Sequence, residues 1–373
     1  MPLLYEQVSD HITGEIAAGR LRPGDQLPTE TEYATSFGVS RITIRRAMSR
    51  LDRDGLIERF RGKGTFVTAQ APQLAAPMSS PVPVTVAPKP KRRRIGFIIP
   101  ELSDLFGVMM FNGIDDRCQE CDIDLSIRRS HGDIEIEART ITSWIEAGLD
   151  GLIIFPSHGE FYNQTLLRAV LNGFPVVLVD RTLKGIQVPA VMTDHYQAAQ
   201  AITTWLLEQG HTSLVFASPA VRGTSSLEDR HRGFLDAVQA AARPDRRFTT
   251  LTLESVVPGR STSENMARDR ERIRAFLAKH PDVSAILASE YGVALLIEGV
   301  VEQDPVLRER GIEIACFDSL VEAMSLHSFV HIKQDEHEIG RQAVDLLVRQ
   351  LDGERLAGPH YVDFALVTRE STG

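Results

Sequence analysis

The sequence predicts an α/β protein in two parts: a small helical N-terminal unit with a two-stranded wing, then a large two-lobed body of doubly wound parallel sheets. Three observations carry that prediction. Residues 27–67 hold the signals of helix, turn, helix and hairpin in chain order. From residue 95 onward, short β-rich runs alternate with helical periods, which implies parallel sheets covered on both faces. Charge also divides the chain: residues 1–94 carry 15 Lys and Arg against 9 Asp and Glu, and the remainder carries 26 against 41. A basic head on an acidic body suits a small unit that neutralises phosphates, attached to a body that avoids them.

At 373 residues, two or three domains are expected. Three cysteines make no disulfide framework. Glu6, Asp10 and Glu15 interrupt the first helix, so no signal peptide is read there, and no run approaches the roughly 18 apolar residues of a membrane span. The cytoplasm, with thiols reduced, is the expected compartment.

In the head, Leu4, Val8, Ile12 and Ile16 recur at helical spacing, so a helix is expected over residues 3–18, ended by Gly19 and Pro23-Gly24. A second helix starts at Thr29, where Glu32 completes a capping box that satisfies free amides. Gly38 makes the turn, Ser40 caps the third helix and Gly55 stops it. Ile44, Ala47, Met48 and Leu51 share the inward face of that helix. Arg41, Thr43, Arg45 and Arg46 then lie near its start on other faces. Major-groove reading needs this arrangement, because the start of a recognition helix meets base edges and Arg can donate two bonds to guanine. Residues 56–59 and 65–67 read as short strands. Arg61-Gly62-Lys63-Gly64 forms the tip between them, where glycine allows close approach to a phosphate or the minor groove.

These parts make a winged helix-turn-helix, and residues 1–70 resemble the DNA-binding domain of the GntR family. The resemblance implies that Arg41, Arg45 and Gly62 contact operator DNA, within a surface that includes Thr31, Ser40, Thr43, Arg46, Arg61 and Lys63. The family often has Arg where this chain has Thr31, which donates only a weaker neutral bond; the operator preference implied therefore departs from the common pattern.

Residues 71–94 read as an extended, semi-stiff linker, with Pro72, Pro77, Pro81, Pro83, Pro88 and Pro90 scattered among Ala, Val and Ser. The linker ends in Lys89, Lys91 and Arg92–Arg94, which either touch DNA phosphates or solvate the entry to the body.

The body covers residues 95–373. Strands are expected at 95–100, 123–127, 151–155, 176–180, 214–218, 251–253, 285–288 and 312–317, with helical stretches such as 134–147, 198–209, 230–241 and 269–280 between them. About 280 residues is large for one such unit, so two similar lobes are expected, with ligand in the crevice at the carboxyl ends of the strands. Polar residues occur there: Asp180-Arg181, Ser289-Glu290, Asp318-Ser319 and Gln334-Asp335. A carboxylate at a strand end can accept bonds from two sugar hydroxyls, Arg can donate to the ring, and Phe106 can cover an apolar sugar face.

Several stretches then resemble the effector-binding domain of the LacI/GalR family, itself similar to periplasmic binding proteins. They are residues 95–103, 148–153 and 175–181, Arg230 before Gly233-Phe234, and 332–335. By position, the resemblance implies sugar contacts from Asp180, Arg230, Asp318 and Gln334. Ser289 stands where the family often has Asn, Glu290 where it has Asp, and Leu105 replaces a common Pro. Ser103, Asp104 and Thr193 complete the candidate effector set. The combined resemblance, to arabinose-responsive repressors, implies a pentose or related sugar as effector.

The expected protein is therefore a ligand-responsive regulator without catalytic residues, cofactor or metal. Its expected partners are double-stranded operator DNA and a monosaccharide, and it pairs as a homodimer through the body, with no membrane association. Repression relieved by sugar is the sign the resemblance implies. Alternatives are a carbohydrate-active enzyme with a DNA-binding head, a ligand-independent DNA binder, and a regulator of a purine or sugar phosphate. Cys118 and Cys121 have redox-like spacing but no second pair, and His327, His331 and His337 share no face.

Overall fold

The computed structural model describes residues 4–60, 63–71, 92–103, 107–157, 163–241, 246–257, 260–318 and 329–368. The chain divides into two units, Met1–Lys89 and Pro90–Gly373. Arg61, Gly62, Asp104, Leu105, Phe106, Ser319, His327 and most of the linker lie outside the described residues.

In the first unit, helix α1 (Leu4–Ala17) lays Val8, Ile12 and Ile16 against the apolar face of α3 (Arg41–Arg53). Between them, α2 (Glu30–Phe37) begins with the Thr29–Glu32 capping box and ends at Gly38, whose φ of 64° is the left-handed conformation glycine adopts without a Cβ penalty. Ser40 caps α3 by accepting the amide of Thr43 at 3.2 Å. Strand β1 (Ile57–Phe60) pairs antiparallel with β2 (Gly64–Val67). Gln26 pins this wing, its side-chain amide donating to the carbonyl of Lys63 at 3.0 Å.

The body has two lobes. The first begins with β3 (Arg94–Ile99), α4 (Val108–Glu120), β4 (Asp124–Arg129), α5 (Ile134–Glu146), β5 (Gly151–Ile154), α6 (Gln164–Leu171), β6 (Val176–Val179) and β7 (Pro189–Thr193). The second holds α7 (His195–Glu208), β8 (Ser213–Ser218), α8 (Ser225–Ala240), β9 (Arg247–Thr252), α9 (Ser263–Lys279), β10 (Ala285–Ala288), α10 (Tyr291–Gln303), α11 (Pro305–Glu309), β11 (Glu313–Phe317) and β12 (Val330–Gln334). The chain then returns to the first lobe with α12 (Glu336–Leu351) and β13 (Gly358–Val362), and ends its described path in the second with β14 (Phe364–Val367).

The six-stranded sheets run β13–β7–β6–β5–β3–β4 and β14–β12–β11–β10–β8–β9. Every pairing is parallel except β12 with β14. The central strands are buried apolar runs because helices cover both faces.

The path changes lobe at Asp194, Asp335 and Asp363. Asp194 and Asp335 cap the helices that follow, accepting the amides of Gln197 at 2.9 Å and Glu338 at 3.0 Å. Helix α7 therefore belongs to the second core, where Ala198, Ile202 and Leu206 meet Phe216 and Phe234. Helix α12 belongs to the first, where Ile339, Ala343 and Leu347 meet Met110 and Ile153.

Several sequence expectations are corrected here. The helices expected from residues 198, 230 and 269 begin at His195, Ser225 and Ser263. Their first turns follow Asp194, Thr224 and Thr262, polar positions that the apolar period does not mark. The strand expected at 251–253 is Arg247–Thr252, at a sheet edge where apolar content is low. Strands β7, β12, β13 and β14 are not among the runs the sequence marks as strands. Arg92–Arg94 serve the body: Arg92 pairs with Asp122 and Asp124, Arg93 with Asp352 at 2.5 Å, and Arg94 donates to the carbonyls of Ala147 and Gly148. They anchor the entry of β3.

Helices α4 and α12 cross with their backbones in contact. A Cβ on Gly113 would lie 2.0 Å from the carbonyl oxygen of His337, and one on Gly340 would lie 2.2 Å from that of Met110. Gly340→Ala should therefore destabilise the body by about 1–3 kcal/mol. A lowered urea midpoint reads this directly; an unchanged midpoint would mean that the helices part at no cost.

Candidate functional site

Two surfaces gather the candidate residues. On the head, Arg41, Arg45 and Arg46 are exposed near the start of α3, with Ser40 and Thr43 beside them. The hydroxyls of Ser40 and Thr43 lie 2.9 Å apart and bond each other. Arg45 reaches Glu30 at 3.3 Å, and Arg59 reaches the same carboxylate at 3.7 Å. Arg46 turns toward α1, its guanidinium 4.7 Å from the Tyr5 ring centroid. Thr31 is exposed on α2, and Lys63 is exposed on the wing.

Sequence reasoning missed Ile42, which is 77% exposed between the two arginines. Its signal was available: it is an apolar residue outside the inward set Ile44, Ala47, Met48 and Leu51. An apolar side chain at this point of a recognition helix can meet a thymine methyl.

In the body, a cavity of about 500 Å³ opens at the carboxyl ends of the strands. Ser103, Asp180, Arg230, Glu290 and Asp318 line it, together with Glu101, Phe155 and Arg181. Thr193, Ser289 and Gln334 are buried but are not among the residues on its wall. They support it from behind: Gln334 donates to both oxygens of Asp318, at 2.8 and 3.1 Å, and the Ser289 carbonyl accepts from Arg230 at 2.5 Å. The hydroxyls of Thr193 and Ser289 and the side-chain oxygen of Gln334 have no hydrogen-bond partner among the described residues.

The two lobes present matched carboxylates. Asp180 follows β6 and Asp318 follows β11, strands that hold the same place in their sheets. Both residues are left-handed, with φ of 64° and 65°, a conformation Asp tolerates better than most residues but still at a cost. The amide of each donates to the neighbouring strand, Asp180 to Val191 at 3.0 Å and Asp318 to Ile332 at 2.9 Å. The match extends to the first residues of the crossing helices, His195 and Glu336.

His195 links the lobes, and the sequence did not single it out. The Arg230 guanidinium can only donate, so Nδ1 of His195 accepts from it, at 3.2–3.3 Å. The proton then sits on Nε2, which meets the Asp180 carbonyl at 3.1 Å and its carboxylate at 3.3 Å. Burial, and next the charge of Arg230, lower the imidazole pKa and keep the ring neutral. Burial would raise Asp180, but the His195 hydrogen bond and the charges of Arg181 and Arg230 hold it below the usual carboxylate range. Arg230 also lies 4.0 Å over the Phe317 ring. Arg181 lies 4.6 Å over Phe155 and donates to the Pro156 carbonyl at 2.7 Å.

The second lobe's carboxylates behave in the opposite way. Burial raises Glu290 against the charges of Arg230 and Arg181. It pushes Asp318 up to about 6. Burial and then the charge of Asp318 push Glu336 up to about 8, although Glu336 accepts the Gly107 amide at 2.8 Å. Folded protein thus keeps a proton that the unfolded chain releases near pH 4.5, so stability is lost as pH rises through the folded values. The melting temperature should fall between pH 6 and 8. Glu336→Gln should flatten that slope; an equally steep profile in the variant would assign the effect to other groups.

Among the described residues, no group of three or more His, Cys, Asp or Glu is placed to hold a metal ion, and no helix is long and apolar enough to cross a membrane. Cys118 is buried on α4, His331 sits in β12 and His337 on α12.

A basic reading helix on one unit and a charged cleft between the lobes of the other define a ligand-responsive, DNA-binding transcriptional regulator. The chain belongs to the family of periplasmic binding proteins and sugar-binding domains of the LacI family, which it matches over residues 92–360, and its residues 4–67 match the bacterial regulatory proteins of the gntR family. It is 25% identical over 360 residues to the arabinose metabolism transcriptional repressor of Geobacillus stearothermophilus, covering 93% of this chain and 91% of that one. Its fold matches GanP, a glucose-galactose binding protein of the same organism, with a TM-score of 0.64 and 21% identity over 75% of this chain and 99% of that one. The fold also matches the transcription regulator CcpA of Lactococcus lactis, with a TM-score of 0.62 and 18% identity over 75% and 99%.

Proposed function

We propose that the protein represses sugar-utilisation genes from the cytoplasm and releases its operator when a monosaccharide, in the first instance a pentose such as arabinose, enters the cleft. One observation carries this reading. Asp180 and Asp318 line one cavity from opposite lobes, and the charge of Arg230 acts on both carboxylates, so a single polyol can bridge both walls. The name of the Geobacillus relative supports both the sugar and the sign.

In this reading Arg41 and Arg45 meet bases, Thr31, Ser40, Thr43, Arg46, Arg61, Gly62 and Lys63 complete the DNA-facing surface, and two chains pair through their bodies on a pseudo-palindrome. Ligand draws the lobes together about Asp194, Asp335 and Asp363, and the closed body no longer holds the heads at half-site spacing. Sugar and operator must then weaken each other's binding by the same factor. The protein acts by binding and leaves the sugar unchanged. Glu101, Asp180, Glu290 and Asp318 outnumber Arg181 and Arg230 at the strand ends, which weighs against a phosphorylated sugar there.

Thermal-shift measurements against pentoses, hexoses and their phosphates test the reading. A sugar present at 100 times its dissociation constant should stabilise the protein by about 2.7 kcal/mol and lower its affinity for operator. Stabilisation by no sugar, or a shift without any change in DNA binding, would overturn it.

A further inference from the structure

Part of the cavity wall is apolar. Val256 follows β9, Met266 and Arg270 come from α9, and Tyr291, Leu295 and Leu296 come from α10. Tyr291 and Leu296 belong to one apolar cluster, and Val256 and Leu295 pack against it, so this part of the wall is continuous. Met266 and Arg270 are four residues apart and share a face of α9. Arg270 has no hydrogen-bond or ion-pair partner among the described residues.

We propose that this annex is a second subsite and that it takes an aromatic acid joined to the sugar, its ring against Val256, Met266, Tyr291 and Leu295 and its carboxylate at Arg270. A second sugar fits the wall poorly, because five apolar side chains answer few of its hydroxyls. A plain alkyl group leaves the guanidinium unused. An aryl ring uses both, with the Met266 sulfur as an added contact. The inference rests on the cleft being the effector site.

The test uses the full-length protein and calorimetric titration with matched methyl, phenyl and 4-carboxyphenyl glycosides of arabinose, xylose, glucose and galactose. On the sugar that binds, the phenyl glycoside should bind at least fivefold tighter than the methyl, and the 4-carboxyphenyl glycoside at least fivefold tighter again. Arg270→Gln should remove the second gain and keep the first, and Leu295→Asp should remove the first. Equal affinity of the three glycosides, or a carboxylate gain that survives Arg270→Gln, would overturn the subsite while leaving the sugar site standing. If the sugars and all their glycosides fail to bind, both fall.

Discussion

Arg230→Met should yield a protein that still occupies its operator and no longer leaves it when sugar is added. The guanidinium is buried and makes three kinds of contact at once: the Ser289 carbonyl at 2.5 Å, the His195 imidazole at 3.2–3.3 Å, and the Phe317 ring at 4.0 Å. Methionine keeps the stem and the apolar contact but none of the donors. Asp180 then loses a neighbouring cation, and His195 loses the donor that fixes its tautomer. A charged donor lost from a bound sugar is worth about 1.5–3 kcal/mol. Effector affinity should therefore fall by about ten- to a hundredfold, since each 1.4 kcal/mol is about tenfold. Arg230→Lys keeps the charge but cannot donate along both directions of the fork, so it should fall between wild type and Met. Operator gel shifts with and without sugar, beside thermal shifts, separate the outcomes. A Met variant that is released at the wild-type sugar concentration would remove Arg230 from the site.

The second large effect is on the head. Arg41→Ala and Arg45→Ala should each weaken specific operator binding by about 1–3 kcal/mol and relax base preference at one position. Arg45 carries an extra consequence, because Glu30 would lose its 3.3 Å partner and keep only Arg59 at 3.7 Å. Lys63→Ala should act differently. A wing phosphate contact carries no sequence information, so binding should weaken evenly across sequences and the salt slope should flatten by about one. Sugar-induced thermal shifts should stay at wild-type size in all these variants. Filter binding across a salt series reads every part of this. Wild-type specificity in the Arg41→Ala, Arg45→Ala double variant would show that the third helix does not read the operator.

The fold class was legible because local chemistry and periodicity agreed. Thr29 with Glu32, and Ser40 before an apolar face, mark helix starts by the amides they satisfy, and the structure uses both. The central strands of both sheets are buried on two faces and so read as unbroken apolar runs. Edge and crossing strands carry a weaker signal. Pro189–Thr193 opens with proline, and Gly358–Val362 mixes His360 and an exposed Tyr361 with apolar residues. Asp180 and Asp318 could be picked out because each ends an apolar run. His195 could not, since a histidine at the start of a helix gives no sign in one dimension that two charged residues, 15 positions before it and 35 after, will meet on its ring. Arg181 was visible in the sequence; its stacking on Phe155 was not. Phe106 and the wing tip at Arg61 and Gly62 lie outside the described residues.

The return of α12 to the first sheet sets an order of assembly. As the ribosome works, β3 to β7 emerge early, yet the layer that closes over Met110 and Ile153 is encoded beyond residue 335. The lobe begun first is thus completed last, after the other has had time to form. Until then a glycine-lined seat on α4 stays open to water, a long-range closure that slows folding and leaves apolar surface for a chaperone to shield.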